Sequence, residues 1–129
     1  MSLKYYPNNS SFRYCSHLNS PLILEGRWKV ALVEAFLSSS SPSHELLYIS
    51  SNICDDSIIE GRKESFLRRL SPNSPGQWKA VIQSPHYIDV KMNEILDIDL
   101  YVKTESGDWA SFLDEATTVT LHLKAFPFL

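Results

Sequence analysis

The amino-acid sequence predicts an all-β protein built as an antiparallel β-sandwich or barrel. The first observation is the alternation of apolar and polar side chains along 94–103 and 118–124, which is the period of a strand with one buried face. The second is the recurrence of such runs, about seven or eight in all, separated by turn-forming residues at intervals of about ten residues. Strands of this kind cannot satisfy their apolar faces or backbone groups alone, so we expect partner strands and a facing sheet.

The last two alternating runs define their buried faces most clearly. Several of their residues are β-branched, and such side chains pack well on a pleated surface. The expected buried faces consist of the aliphatic residues Leu96, Ile98, Leu100 and Val102 in the first run and Val119, Leu121 and Leu123 in the second.

Length and composition indicate one globular domain spanning residues 1–129, with a hydrophobic content of 43% that excludes a disordered or fibrous chain. The net charge is −3 and the basic residues are scattered, so we expect no direct binding to nucleic acid. No apolar run approaches the ~18 residues that span a bilayer, so we expect no membrane partner. The first residues lack the apolar segment of a signal peptide, which predicts an intracellular protein of the cytoplasm or nucleus.

The N-terminal third predicts three strand segments. Residues 1–11 begin with a short strand candidate over 3–6 and break at Pro7, which suits an edge strand or a candidate N-terminal arm. Alternation over 12–18 predicts a strand that ends at the turn formers that follow it, Asn19, Ser20 and Pro21.

Segment 27–37 is apolar on both faces, which predicts a central strand or one whose outer face meets another subunit. A helix is the alternative for 28–37, because Ala, Leu and Glu favour helices and the apolar residues also fit a helical period. The turn at Gly26 and the strand patterns on either side favour the strand.

The remaining segments alternate between strands and polar connections. Residues 38–45 form a serine-rich loop between the two halves of the sandwich. The segments after it are a strand over 46–53, a charged loop over 54–63 that turns at Gly61, a strand over 64–70, a turn over 71–76, a strand over 77–83 and a final short run over 86–92.

Residue types that could carry chemistry show no specific spacing. The four histidines, His17, His44, His86 and His122, stand in separate segments, without the pairs that direct two imidazoles at one metal. No nucleophile elbow and no glycine-rich phosphate loop occurs. We therefore expect a protein that is not an enzyme and that uses no cofactor or metal.

Two aspartates and two cysteines could each carry a function, and for both pairs a structural interpretation is favoured. Asp97 and Asp99 share one strand face about 7 Å apart, which suits a Ca²⁺ site or a glycosidase pair, and a solvated outer face is the favoured interpretation. Cys15 and Cys54 form no metal-type or redox-type pair, so we expect free thiols.

Aromatic residues are the candidates for contacts with a partner, because Trp and Phe are enriched at protein interfaces. Two of them lie in the connection between the last two strands and two in the C-terminal tail, where they either cap the core or reach a neighbour. The candidate interface residues are Trp28, Trp78, Trp109, Phe112, Phe126 and Phe128.

Several short motifs occur in an order found in one family. They are the core Leu24, Gly26, Trp28, Val30, Ala31, Leu32 and Glu34; the run Leu47, Tyr48, Asn52, Gly61, Leu67 and Arg68; the pair His86-Tyr87; and the closing set Gly107, Phe112, Val119, Thr120, Leu121 and His122. In this order the chain resembles, in a shortened form, the penton-like minor capsid proteins of Maverick/Polinton elements and adintovirus-like viruses. The family's segment between the Trp and Leu-Tyr strands is reduced here to the serine-rich stretch.

The resemblance implies a single jelly roll that assembles into a homo-oligomeric ring or shell, with a pentamer as the expected unit. It also implies a viral or domesticated viral origin, a major capsid protein as a partner and a location in virion-like particles. Two alternatives stay open. One is a host-encoded jelly-roll binding module for a peptide, glycan or other ligand. The other is a cupin-type metal enzyme in which His17, His86 and His122 meet in space.

Overall fold

The computed structural model describes residues 2–5, 13–41, 44–55, 57–59, 62–64, 66–114 and 118–126. These residues confirm an all-β protein, because they form antiparallel strands and no helix. The strands are β1 (Ser2–Tyr5), β2 (Arg13–Ile23), β3 (Arg27–Ser38), β4 (Leu47–Ser51), β5 (Ser57–Ile59), β6 (Arg62–Glu64), β7 (Phe66–Leu70), β8 (Gln77–Val81), β9 (Ile88–Asp89), β10 (Glu94–Thr104) and β11 (Thr118–Phe126).

Two sheets make up the sandwich. The first sheet has the order β1-β11-β3-β8, with β9 also paired to β3, and the second sheet has the order β2-β10-β4-β7. Strands β5 and β6 form a separate hairpin. The described residues form more strands than the seven or eight expected. The additional strands are β5, β6 and β9, which are only two or three residues long and leave no clear pattern in the sequence. The core lies between the sheets, and its largest fully buried side chains are Leu32, Leu37, Leu47, Ile49, Ile53, Trp78, Ile95, Ile98, Leu100, Leu121 and Leu123.

Strand β3 confirms the strand interpretation of 27–37 over the helix. It lies between β11 on one side and β8 and β9 on the other, so its backbone groups pair with neighbouring strands. Ala31 and Leu32 point to opposite faces and both are buried. The run of apolar residues therefore reflects a central strand covered on both sides over part of its length.

The expected buried face of β10 is correct from Ile98 onward and wrong before it. Ile95 is fully buried, whereas Leu96 is 41% exposed. The reason is a break in the register with β2, where Ile95 lies opposite Leu22 and Asp97 opposite His17. Such a bulge places an extra residue in the strand and reverses the alternation on one side of it.

The same bulge corrects the expected end of β2. The strand does not stop at Asn19, Ser20 and Pro21 but continues to Ile23. Residues 18–21 lie opposite the single residue Leu96, outside the regular ladder. Proline has no N–H to donate, and a bulge is a position in a sheet that tolerates this. The turn formers thus make a bulge inside a strand.

The sequence predicts a loop over the charged segment 54–63, and this prediction is incomplete. The segment contains β5 and the start of β6. Their pairing joins Ser57 to Glu64 and Ile59 to Arg62 in an antiparallel hairpin. Each strand is too short for its alternation to stand out from the charged residues around it. The turn expected at Gly61, the break at Pro7 and the candidate interface residue Phe128 lie outside the described residues.

The connection before β8 confirms the turn expected over 71–76 and covers the strand's outer edge. Gly76 has φ of +78° and accepts a hydrogen bond on its carbonyl from the Ser39 N–H at 2.8 Å. The Asn73 N–H donates to the Gln77 carbonyl at 2.9 Å, and the Lys79 N–H donates to Asn73 Oδ1 at 2.5 Å. The Gln77 N–H also donates to the Ser74 carbonyl at 3.0 Å, so the loop binds three backbone groups at the start of the strand that it precedes.

Candidate functional site

Trp78 is a core residue, which corrects its place among the candidate interface residues. It occupies an inward position of β8 and its side chain is fully buried. The indole N–H donates a hydrogen bond to the Glu45 carbonyl at 2.9 Å, and the ring lies 5.9 Å from that of Phe112. Because no part of the side chain reaches the surface, Trp78 cannot contact another chain in this fold.

Trp28 and Phe112 are half-buried and pack against the core at the two ends of β3. The Trp28 indole N–H donates to the Glu25 carbonyl at 2.9 Å, within the turn that leads into the strand. The Phe112 carbonyl accepts a hydrogen bond from Ser39 Oγ at 2.7 Å, just beyond the strand's other end. Both aromatics mainly close the ends of the sandwich.

Among the candidates that the structure describes, Trp109 is the most exposed, with 43% of its surface accessible, and it lies on the outer face of the second sheet. It pairs with Lys103 through an isolated bridge, so the connection after β10 folds back over the sheet. Lys103 Nζ lies 4.9 Å from the centre of the indole ring, and the Tyr101 ring lies 6.0 Å away. Arg13 Cζ lies 5.5 Å from the centre of the Tyr101 ring. We call Arg13, Tyr101, Lys103 and Trp109 the Trp109 surface.

The backbone of the connection holds Trp109 in place. The Thr104 N–H donates to the Asp108 carbonyl at 2.8 Å, and Gly107 between them has φ of +93°. The Ala110 N–H donates to the Val102 carbonyl at 3.0 Å, and the Ala110 side chain is buried. A buried residue directly after Trp109 thus anchors the turn and leaves the indole on the surface.

Polar pairs continue the outer face of the second sheet beyond Tyr101. Asp99 lies opposite Cys15 and Asp97 opposite His17 in the register of β10 and β2. Asp97 Oδ1 lies 2.5 Å from His17 Nδ1, and Asp99 accepts a hydrogen bond from the Tyr101 hydroxyl at 3.2 Å. Both carboxylates therefore have partners on their own face.

The two thiols are held in the neutral form. A hydrogen bond with Asp99, reinforced by burial and by the negative charge of that carboxylate, raises the pKa of Cys15 to about 11. Burial raises the pKa of Cys54 to about 12. Burial and the same Asp99 carboxylate also raise the pKa of Tyr101. Neither cysteine forms a disulfide, as the sequence predicts.

The three histidines named for the cupin-type alternative do not meet in the structure. His17 lies on the outer face of the second sheet and His122 on the outer face of the first, with the core between them. Within the described part of the chain, no three His, Cys, Asp or Glu side chains are arranged to hold a metal ion.

Phe126 lies at one end of the first sheet among basic and aromatic side chains. The Phe126 ring lies 6.1 Å from that of Tyr87, and Lys29 Nζ and Lys124 Nζ lie 5.0 and 5.4 Å from its centre. The Tyr87 hydroxyl hydrogen-bonds His122 Nδ1 at 2.7 Å. The segment that carries Tyr87 therefore covers the outer face of the first sheet at the end where Phe126 lies.

A cavity of about 330 Å³ lies beside this cluster. Three charged residues line it together with an imidazole and apolar side chains, and Asp89 also pairs with Arg27 at 3.3 Å. The lining residues are Lys29, Asp55, Phe66, His86, Tyr87, Ile88 and Asp89.

Two of the exposed apolar residues that were not among the sequence candidates lie on one face. Phe36 on β3 is 44% exposed and Val81 on β8 is 69% exposed, both on the outer face of the first sheet. The alternation along each strand separates them from the inward residues Leu37 and Trp78. Only the pairing of β3 with β8 places them side by side, and that pairing is not readable from either segment alone.

The described residues include no helix with the length and apolar character needed to cross a bilayer. Comparison with known proteins gives no match to this chain, either among protein-family models or among curated protein sequences.

Proposed function

We propose that this chain is a structural, self-assembling protein of the penton-like capsid type, built as a single jelly roll. The observation that carries the proposal is the pairing of the eight strands that form the two sheets when β5, β6 and β9 are left aside. In chain order the first pairs with the last, the second with the seventh, the third with the sixth and the fourth with the fifth: β1-β11, β2-β10, β3-β8 and β4-β7.

This pairing is the one expected when a long antiparallel ribbon folds in half and rolls into two sheets, which is the construction of a jelly roll. The two remaining pairs, β11-β3 and β10-β4, are the contacts that rolling brings together. Jelly rolls occur in viral capsid proteins, in lectins and in cupins, so the fold alone does not select among them. The ordered motifs shared with the penton-like family favour the capsid type.

The Trp109 surface supports assembly because it combines Trp, Tyr and Arg, the residues most often found at the centres of protein interfaces. A ring requires a head-to-tail contact, in which one surface of each copy meets a different surface of the next. We propose that Trp109 supplies an aromatic anchor for this contact. The expected partners are further copies of the chain, as a pentamer, and a major capsid protein within a virion-like particle of a Maverick/Polinton-type element, assembled inside the cell.

The solution mass tests this proposal. We expect light scattering to give a discrete multiple of 14.7 kDa that is constant over a range of protein and salt concentrations. Electron microscopy of the same fractions should show rings or shells. A monomer at every concentration would contradict the assembly proposal.

A host-encoded binding module is the second candidate, and the cavity beside Tyr87 is the observation that favours it. Ligand sites are concave and combine apolar walls with a few polar groups, and this cavity has Phe66 and Ile88 beside Lys29 and His86. A thermal-shift screen of peptides and glycans tests it. Stabilisation of the wild-type chain that is lost in His86→Ala and Tyr87→Ala would support this function, and no stabilisation by any compound would oppose it.

A further inference from the structure

The outer face of the first sheet is half covered and half open. Over the first half of β3, the segment that carries Tyr87 reaches across to His122, and Ala31 below it is buried. Over the second half, Phe36 and Val81 are exposed side by side. Exposed apolar residues that stand singly are ordinary, whereas neighbouring ones mark an interaction surface.

The register of β3 and β8 fixes the arrangement of four outward side chains. Glu34 lies opposite Val81, and Phe36 lies opposite Lys79. The two apolar residues therefore occupy one diagonal of a square and the two charged residues the other. Lys79 Nζ lies 6.0 Å from the centre of the Phe36 ring. We call these four residues the Phe36 surface.

The two charged side chains of this surface have no oppositely charged partner among the described residues. Among the residues that the structure describes, neither Glu34 nor Lys79 forms an ion pair. Their opposite signs, on either side of an apolar diagonal, make the surface complementary to itself. A contact of this isologous kind places the same patch of two copies face to face around a two-fold axis.

We propose that the Phe36 surface binds the Phe36 surface of a second copy, around a two-fold axis that lies along the diagonal from Phe36 to Val81. Rotation about this axis sets Phe36 against its own counterpart and Val81 against its own. It also sets Glu34 against Lys79 of the second copy, and the symmetry makes this ion pair twice. The apolar residues supply burial, and the charges fix the orientation of the two copies.

This contact does not depend on the proposed function. It uses the first sheet, whereas the Trp109 surface lies on the second sheet, and it joins copies in pairs instead of closing a ring. The two contacts can therefore be separated by substitution. In a Trp109→Ala background, at protein concentrations below the raised half-assembly point of the ring, the remaining association should be a dimer.

Charge exchange at the Phe36 surface is the first test. In sedimentation equilibrium of Trp109→Ala protein, Glu34→Lys or Lys79→Glu alone should weaken dimerisation about tenfold, because each creates two like-charge contacts. The double variant restores opposite charges and should dimerise within about threefold of the parent. Circular dichroism and urea unfolding confirm that each variant folds. Singles that dimerise like the parent, a double variant as weak as the singles, or a parent that is monomeric would overturn the proposal.

A disulfide test locates the axis. Val81→Cys in a Cys15→Ser background should form a disulfide-linked dimer under mild oxidation, because Val81 faces its own counterpart on the axis. Gln77→Cys in the same background is the matched control, since it is exposed on the same strand but lies off the axis. Cys54 is buried and remains in both variants. Equal cross-linking of the two variants, or none in Val81→Cys, would contradict the proposed axis.

Discussion

The indole N–H of Trp78 donates a hydrogen bond to the backbone carbonyl of Glu45, which ties β8 to the end of the serine-rich loop. The start of that loop is also bound, because Ser39 Oγ donates to the Phe112 carbonyl and the Ser40 N–H donates to Asp114 Oδ1 at 3.1 Å. The segment predicted as a serine-rich loop is thus held at both ends by the fold. The described ends of the connection between β3 and β4 are therefore part of the structure of this end of the sandwich.

Replacement of Trp78 should test how far this end depends on one side chain. Trp78→Ala should lower the free energy of unfolding by about 3–5 kcal/mol, because it leaves a cavity in the core and removes the hydrogen bond from the indole to the Glu45 carbonyl. Urea unfolding followed by circular dichroism measures the change. Trp109→Ala is the control, with an expected change below about 1 kcal/mol for a partly exposed ring. Equal losses in the two variants would contradict the buried position of Trp78.

Removal of the Trp109 ring should act on assembly more than on stability. In Trp109→Ala, we expect the protein concentration at half-assembly to rise about fivefold or more, because exposed Trp is often the centre of an interface. Light scattering over a dilution series measures this. Ile23→Ala removes an apolar side chain that is 59% exposed at the far end of the same sheet and should leave assembly unchanged. If Trp109→Ala unfolds, the residue belongs to the core and does not anchor an interface.

Substitution of Gly76 should destabilise the turn before β8 for two reasons. Its φ of +78° is unfavourable for any residue with a Cβ, and an added Cβ would lie 2.8 Å from the Ser39 carbonyl oxygen. We expect Gly76→Ala to cost about 2 kcal/mol or more of unfolding free energy. Gly107 also has a positive φ, so Gly107→Ala measures the cost of the backbone conformation by itself. Equal urea midpoints for the two variants would show that the close approach to Ser39 carries no cost.

Cys54 should make the fold sensitive to alkaline pH. Burial raises its pKa in the folded chain to about 12, above the ordinary value of 9.0 that applies once the chain unfolds. Its contribution to stability is therefore complete below about pH 9 and is lost as the pH rises toward 12. Between pH 9 and 11, the wild type should lose unfolding free energy more steeply than Cys54→Ala. Parallel curves for the two proteins would remove Cys54 as the cause.

Cys15 should react slowly for an exposed thiol. The hydrogen bond with Asp99 and its negative charge raise the thiol pKa to about 11, so little thiolate is present at neutral pH. Asp99→Asn removes the charge and weakens the acceptor, which should lower the pKa and speed alkylation by iodoacetamide at pH 8 about tenfold. Mass spectrometry of the Cys15 peptide gives the rate, and Cys54 provides an internal unreactive thiol. An unchanged rate would assign the slow reaction to shielding.

Much of the fold follows from local pattern. The inward faces of β11 and most of β10, the central strand β3 and the turn at Gly76 each depend on side-chain alternation or on a glycine that the turn requires. Two of the errors share one cause. The bulge opposite Leu96 depends on how β2 and β10 meet, so neither the exposure of Leu96 nor the continuation of β2 through Pro21 could be obtained from either segment alone.

The surfaces were harder to predict than the fold. An aromatic residue in a strand or turn packs inward or outward according to the register of its neighbours, so Trp78 and Trp109 looked alike in the sequence. Phe36 and Val81 were missed for the same reason, because β3 and β8 are about 40 residues apart along the chain and only their pairing brings the two side chains together.

The loop at Asn73 has a consequence for how copies of this chain can meet. An edge strand normally offers unpaired backbone groups to which a strand of another molecule can add, and continued addition leads to fibres. Along β8, the Lys79 N–H and the Gln77 carbonyl are already bound by Asn73. At this end of β8 an added strand would have to displace these hydrogen bonds, which disfavours growth of the first sheet here and favours contacts between copies that are made by side chains.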